Sequence, residues 1–213
     1  MILFLDPVSI YPKLVIVKNN KIFKSINILS KNNTKISDVL LEKYLKLSKS
    51  FKSKNKITKL VVCIGPGSYT SLRVSISFMY GLSISMNIPL YGISCTKLLS
   101  HSIKKNEFYK TFLLIFSSKE QNFICIPSKF KNLVYDIKKI NDNFINSNFD
   151  LKKFDKCICN YKPNKAIEKQ YLKNKDVIIS KIENNVIYED FINMKKLKHI
   201  EPIYVSENKL FDK

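Results

Sequence analysis

The residues whose types and spacing could do chemistry are gathered in Gly65-Pro66-Gly67-Ser68-Tyr69-Thr70-Ser71-Leu72-Arg73. Two of the chain's four glycines fall within three positions here, on either side of a proline. Gly65 and Gly67 permit backbone angles closed to other residues, and Pro66 stiffens the reversal between them. The segment leaves an apolar run and enters a helical pattern, so Ser68 or Thr70 stands where a helix cap is needed. One reading is a tight strand-to-helix turn with a cap. The other is an anion contact, because a helix start presents unpaired amides and the positive end of a dipole. A Walker loop would need a Lys-Ser/Thr pair after its last glycine, and a dinucleotide fingerprint would need a third glycine. Neither is present. Arg73 is the only arginine among 37 basic residues, which suggests a planar, multi-donor head used in a structural or interface hydrogen bond.

The other reactive residues are dispersed. Cys63, Cys95 and Cys125 sit in apolar stretches and read as small core residues. Cys157 and Cys159 flank Ile158, which on a strand puts both thiols on one face. His101 and His199 stand far apart, so no metal site is expected. Asp6 closes the first apolar run and is the one early candidate acid.

The net charge of +20 would ordinarily point to nucleic acid or an anionic surface. Here the basic residues are almost all lysine, Asn and Ile abound, and Ala166 is the only alanine, a pattern expected of AT-rich coding. The charge is spread along the chain, so it reads as drift in composition that still lends weak, salt-sensitive affinity for nearby RNA. No apolar run approaches the roughly 18 residues of a membrane span, and Asp6 interrupts the start before a signal-peptide core can form. The expectation is a soluble cytoplasmic protein without a membrane partner.

These residues need elements to position them. Residues 2–6, 13–18 and 21–28 read as three strands, with Asn19-Asn20 as a hairpin turn. A helix follows from about Ile36, with Ser37 or Asp38 as its cap and Val39, Leu40, Tyr44 and Leu47 along one stripe. The run 60–64 is the signature of a buried parallel strand. Residues 70–86 form a second helix, 89–92 a strand and 94–102 a third helix. The order β-β-β-α-β-α-β-α is that of the ribonuclease-H-like unit on which the actin/Hsp70 superfamily is built. The fold class is therefore α/β, two-lobed, with a mixed sheet and a reduced second lobe. Residues 1–103 form the first lobe and 104–213 the second, in which 111–116, 123–127 and 156–160 read as strands and 166–172 as a short helix. A turn is expected near residues 118–120, the Lys/Asn-rich 130–153 carries no clear pattern, and no internal repeat relates the halves.

The helix 70–86 carries two apolar stripes. Leu72, Ile76 and Met79 form one; Val74, Phe78 and Leu82 form another, placed roughly opposite. Two stripes imply burial on both sides, within the domain or against a partner. Ser77, Gly81 and Ser85 recur every four residues and would let another helix approach closely. Leu41 and Leu45 add surplus apolar surface to the first helix. Leu41, Leu45, Val74, Phe78, Gly81, Leu82 and Ser85 are accordingly the expected partner interface. Gly65, Pro66, Gly67, Ser68, Thr70 and Arg73 form the turn that a nucleotide would approach.

From Leu60 to Leu99, "LVVCIGPGSYTSLRVSISFMYGLSISMNIPLYGISCTKLL" resembles the TsaB (YeaZ) family, a bacterial subunit of the machinery that makes tRNA threonylcarbamoyladenosine beside the anticodon. The resemblance extends to residues 2–6 and Leu40-Leu41, and returns at Pro202-Ile203-Tyr204. Ser71, Glu42, Ser206 and Pro7 depart from the family pattern. The catalytic relative, TsaD, has a similar turn but is far longer and carries a close histidine pair. The resemblance therefore implies a non-catalytic scaffold that binds a TsaD-type subunit through its two first-lobe helices. It also implies a TsaE-type ATPase as a further partner, tRNA engaged through the complex, no cofactor bound alone, and ATP or ADP at the partner interface. A homodimer through the same helices is a further expectation. Two alternatives stay open: an actin/Hsp70-like kinase or ATPase using Asp6, against which stands the lack of a second Gly-rich loop, and a basic RNA-binding module.

Overall fold

The computed structural model describes residues 1–29, 35–49, 56–117, 122–126, 133–136, 151–191 and 200–204. β1 (Ile2–Asp6), β2 (Lys13–Lys18) and β3 (Lys21–Asn27) form an antiparallel meander. Asn19 and Asn20 both take positive φ at the β2–β3 turn, which matches the right-handed twist of the flanking strands. β4 (Lys59–Cys63) then pairs parallel to β1, and β5 (Leu90–Ile93) parallel to β4. The sheet order is β3-β2-β1-β4-β5. Each parallel addition needs a crossover, supplied by α1 (Ile36–Ser48) and α2 (Tyr69–Met86). α3 (Cys95–Ser100) follows β5, and its Ser94 side chain accepts a capping bond from the Lys97 amide at 3.1 Å.

The second half repeats this plan. β6 (Thr111–Phe116), β7 (Asn122–Ile126) and β8 (Leu133–Asp136) are antiparallel neighbours, and β9 (Lys156–Cys159) and β10 (Asp176–Ile179) add in parallel. Read from its antiparallel edge the order is β8-β7-β6-β9-β10, strand for strand that of the first sheet. The internal repeat that the sequence hides is thus present in the topology. Its strand complement is complete. Among the described residues, only α4 (Lys165–Tyr171), capped by Asn164, and the single turn Leu151–Lys153 lie along the outer face. β8 and β10 fall outside the expected strands, and the expected turn at 118–120 lies outside the described residues.

Strand alternation divides the interior into three cores. Ile2 and Phe4 face inward with Val61, Leu113, Ile115 and Ile158, between the two sheets, where α3 and the short turns Ile182–Asn185 and Tyr188–Phe191 also pack. Leu3, Leu5, Leu14 and Ile16 face outward under α1 and α2. Phe112, Leu114, Cys157 and Cys159 face outward under α4. Among the described residues, no helix is long and apolar enough to cross a membrane.

Candidate functional site

The glycine turn is built by three neighbouring segments. Its entry is tied to β5, where the Ile64 amide donates to the Ile93 carbonyl at 2.9 Å. Its first carbonyl, on Gly65, accepts the Cys95 amide at 2.9 Å and the Cys95 thiol at 3.1 Å. Residue 203 closes the third side, its amide donating to the Ile64 carbonyl at 2.7 Å. Gly65 has φ +113°, and a Cβ there would lie 2.8 Å from the Ile203 carbonyl oxygen. Only glycine fits. A Cβ on Gly67 would lie 3.2 Å from Val8 Cγ2 and 3.6 Å from Ser117 Oγ. The turn is therefore roofed by the β1–β2 connection and the end of β6, which meet in an antiparallel bridge between Ser9 and Ser117.

Ser68 is the N-cap of α2, but its side chain makes no capping bond, and Thr70 is an exposed residue of the first turn. The expected side-chain cap is absent at Ser68, which is buried in the packed turn. α1 differs in the same way. It begins at Ile36 with Lys35 as N-cap, which puts Ser37 and Asp38 inside its first turn, where Ser37 Oγ donates to Asp38 at 2.8 Å.

Asp6 is fully buried and folded back on its own loop. Its carboxylate accepts the Val8 amide at 2.9 Å, the Ser9 amide at 3.1 Å and the Ser9 hydroxyl at 2.5 Å. Burial raises its pKa to about 6 against the opposing pull of those hydrogen bonds. The charge thus organises the β1–β2 connection. A cleft of about 360 Å³ opens beside that connection, between Ser9, Tyr11 and Lys13 on one side and Tyr161, Lys162 and Lys181 on the other. Lys13 is engaged there by an ion pair with the buried Glu183.

Arg73 spans from the turn to the returning chain. Its Nε donates to the Tyr204 hydroxyl at 2.9 Å, and its guanidinium lies 4.0 Å from the Tyr69 ring centroid. The two tyrosine rings are 4.6 Å apart. The lone arginine makes a planar, hydrogen-bonded and stacked contact that lysine could not reproduce. The residues 202–204, singled out in the sequence, are docked by it on the turn.

The helix pair is arranged differently from the expected opposite stripes. Leu72, Ile76 and Met79 are buried on the sheet. Val74, Phe78 and Leu82 are half-buried at the α1–α2 seam, with the Phe78 and Tyr44 rings in edge contact at 5.7 Å. They lie on the flank of α2 rather than its far side, because α1 is laid against that flank. The solvent face of α2 carries Ser77, Gly81 and Ser85 as expected, with open space where a Gly81 Cβ would point. It also carries Tyr80 and Ile84, 47% and 71% exposed. Sequence reasoning missed these two, although their i, i+4 spacing beside Ser77 and Gly81 was a usable signal. Leu41 and Leu45 are 59% and 51% exposed on α1. The sequence-predicted residues thus fall into two groups, one at the turn and one on the outer helices.

The cysteines at 63, 95 and 125 are buried, and burial pushes the Cys95 and Cys125 thiols well up. Cys157 and Cys159 share one face, sulfur to sulfur 3.6 Å. Among the described residues, no three metal-ligating side chains come together. His101 Nδ1 is 3.0 Å from the Asn185 carbonyl and its Nε2 3.4 Å from Asp190; His199 lies outside the described residues.

Residues 27–203 match the family described as TsaD, tRNA N6-adenosine threonylcarbamoyltransferase. The chain belongs to the TsaD family, and its relatives there are of the TsaB, or YeaZ, kind. A Buchnera aphidicola (subsp. Schizaphis graminum) protein named as the tRNA threonylcarbamoyladenosine biosynthesis protein TsaB is 34% identical over 55 residues. That match spans 26% of this chain and 26% of that relative's length. A Pseudomonas aeruginosa crystal structure, described as similar to the peptidase YeaZ, superposes with a TM-score of 0.61 at 12% identity, over 96% of this chain and 99% of the other. A second, YeaZ from Pseudomonas aeruginosa, gives 0.53 at 12% identity over 86% and 87%. At that identity the likeness speaks for the fold, the two-lobed actin-like and ribonuclease-H-like architecture.

Proposed function

We propose that this chain is a non-catalytic subunit in tRNA threonylcarbamoyladenosine modification, binding and supporting a TsaD-type catalytic subunit in the cytoplasm. The observation that carries this reading is the outer surface of α1 and α2. Leu41, Leu45, Tyr80 and Ile84 are held in the open by two well-packed helices, and Gly81 leaves room for close approach. Each such side chain contributes roughly 1.5–3 kcal/mol when fully buried, before the costs of association. The same surface would serve a homodimer of the free subunit. In this reading tRNA and a TsaE-type ATPase engage the complex, and ATP or ADP binds at a partner interface rather than in the turn of the isolated chain. Two features support the last point: Val8 and Ser117 crowd Gly67, and the Asp6 carboxylate is taken up by its own loop.

The test is co-purification with a TsaD-type subunit. Leu41→Glu and Ile84→Glu are expected to lower recovery of the complex at least tenfold while the free chain keeps its melting temperature. Phe78→Glu would also disturb the α1–α2 seam, so it is the weaker probe. Undiminished recovery with both exposed-site variants would place the interface elsewhere. Steady ATP turnover by the isolated chain, lost in Asp6→Asn, would replace this reading with an enzymatic one.

A further inference from the structure

The two sheets end differently on their parallel edges. β5 is buried along its whole length, and Ile200 lies over Gly92, its Cγ2 2.8 Å from where a Cβ would stand. β10, the matching strand of the second sheet, is exposed throughout. Val177, Ile178 and Ile179 are 36%, 37% and 52% exposed, three consecutive apolar residues on an edge. Edge strands of this kind are normally blunted by charge, proline or a covering element.

Among the described residues, no further strand pairs with this edge. The Asp176 amide donates to the Asp155 carbonyl at 2.9 Å and the Ser180 amide to the Cys159 carbonyl at 2.8 Å. Even-numbered positions therefore face β9, and by alternation the amides and carbonyls of Val177 and Ile179 face away from the sheet. Their side chains share the face on which Cys157 and Cys159 meet α4, while Ile178 follows Ile158 on the other.

The cleft beside Ile179 is rich in cations. Lys162 and Lys181 line the same cleft as Ile179, and Lys173 stands exposed just before the strand. Of the acids nearby, Glu183 is buried with Lys13, while Asp176, at the opposite end of the strand from that cleft, is exposed with Lys156 3.9 Å away. A second copy, with a net charge of +20, would bring like charge against like. An acidic occupant gains at every one of these lysines.

We propose that β10 is a docking edge for an extended acidic segment of a partner protein. The segment adds a strand beside residues 177–179 and sets its carboxylates against Lys162 and Lys181. Backbone bonds to Val177 and Ile179 hold it in register, and the lysines select its charge. This edge lies on the opposite lobe from the α1–α2 surface, so the two interfaces stand or fall separately.

The test uses the full chain and a fluorescein-labelled octapeptide alternating glutamate and valine, followed by anisotropy and amide hydrogen exchange. Saturable binding is expected, with at least tenfold slower exchange at residues 177 and 179. The lysine–valine counterpart should bind at least tenfold more weakly. Val177→Pro removes an outward amide while keeping the bonds to β9, and should weaken binding at least tenfold with little change in melting temperature. The double variant Lys162→Glu/Lys181→Glu should reverse the charge preference. Absence of saturable binding, equal binding in Val177→Pro, or equal affinity for both peptides would overturn the proposal. So would a dimer in sedimentation that Val177→Pro abolishes, since the edge would then belong to a second copy.

Discussion

The first sheet is covered on its outer face by helices of 13 and 18 residues; among the described residues, the second carries a seven-residue helix over the same five-strand order. The inner faces are alike, because both sheets share one core with α3 and the turns at Ile182–Asn185 and Tyr188–Phe191. A single topology has thus been given two surfaces. Among the described residues, the first lobe shows the outside of packed helices and the second an exposed strand. That contrast teaches that strand order follows from the meander-and-crossover plan, while exposure depends on what is laid over each edge. It also separates two kinds of binding, helix against helix and strand beside strand.

The contrast breaks most severely at Gly65. Gly65→Ala must hold an alanine at φ +113° with its Cβ against the Ile203 carbonyl, so both the turn and the returning segment must shift. A loss of roughly 2–4 kcal/mol is expected in urea denaturation. Gly81→Ala, with open space around its Cβ in mid-helix, should gain up to about 1 kcal/mol instead. A loss at Gly81 as large as at Gly65 would mean that glycine count rather than local geometry governs this chain.

Equivalent edge strands offer the next comparison. Leu90→Ala on β5 empties a buried site and should cost about 2–4 kcal/mol. Ile178→Ala on β10 should cost less than about 1 kcal/mol, because its side chain is already in water in part. Equal costs would show that β10 is covered in solution and would remove the basis of the docking edge.

The first lobe was legible because its signals are local. Asn19-Asn20, the β-branched run at 60–64 and the glycine turn each fix one element, and its five strands begin and end within one residue of expectation. β8 and β10 were not legible. β8 lies in the Lys/Asn-rich stretch that carries no clear pattern, and Asp176-Val177-Ile178-Ile179 shows no alternation of apolar and polar residues. The caps are a different case: Ser68 has the right type and position, yet its side chain makes no capping bond. At the site, the sequence located the turn, the lone arginine and the two helices. It could not show that α1 lies on the Val74–Phe78–Leu82 flank, which is a tertiary fact.

Asp6 gives a smaller effect with a definite sign. Its pKa rises from 3.8 unfolded to about 6 folded, so the folded state binds the proton more tightly. The stability this adds is fully present below about pH 3.8 and is lost as pH rises through 6. The whole window is worth at most about 3 kcal/mol, at 1.36 kcal/mol per unit. Asp6→Asn keeps an acceptor for the Val8 and Ser9 amides without the buried charge. It should therefore be more stable than the parent by about 1 kcal/mol at pH 8 and no better at pH 4. An unchanged pH slope between 4 and 6 would show that the carboxylate is solvated in solution and free for other chemistry.

The smallest effect concerns how residues 200–204 return to the first lobe. Arg73 is exposed, so its contact with Tyr69 and Tyr204 adds little to global stability in water. What it does is local: it holds the ring of Tyr204 on the turn, and with it the amide of Ile203 that bonds the Ile64 carbonyl. Arg73→Lys keeps the charge and loses the planar head, so melting should be nearly unchanged while the Ile203 amide exchanges several-fold faster. Lysine serves almost everywhere else in this chain, and a conservative swap that loosens only residues 200–204 would show why it does not serve here. If exchange at Ile203 stayed at the parent rate, the backbone bond alone would hold the segment, and the arginine's role would have to be sought on the exposed side of α2.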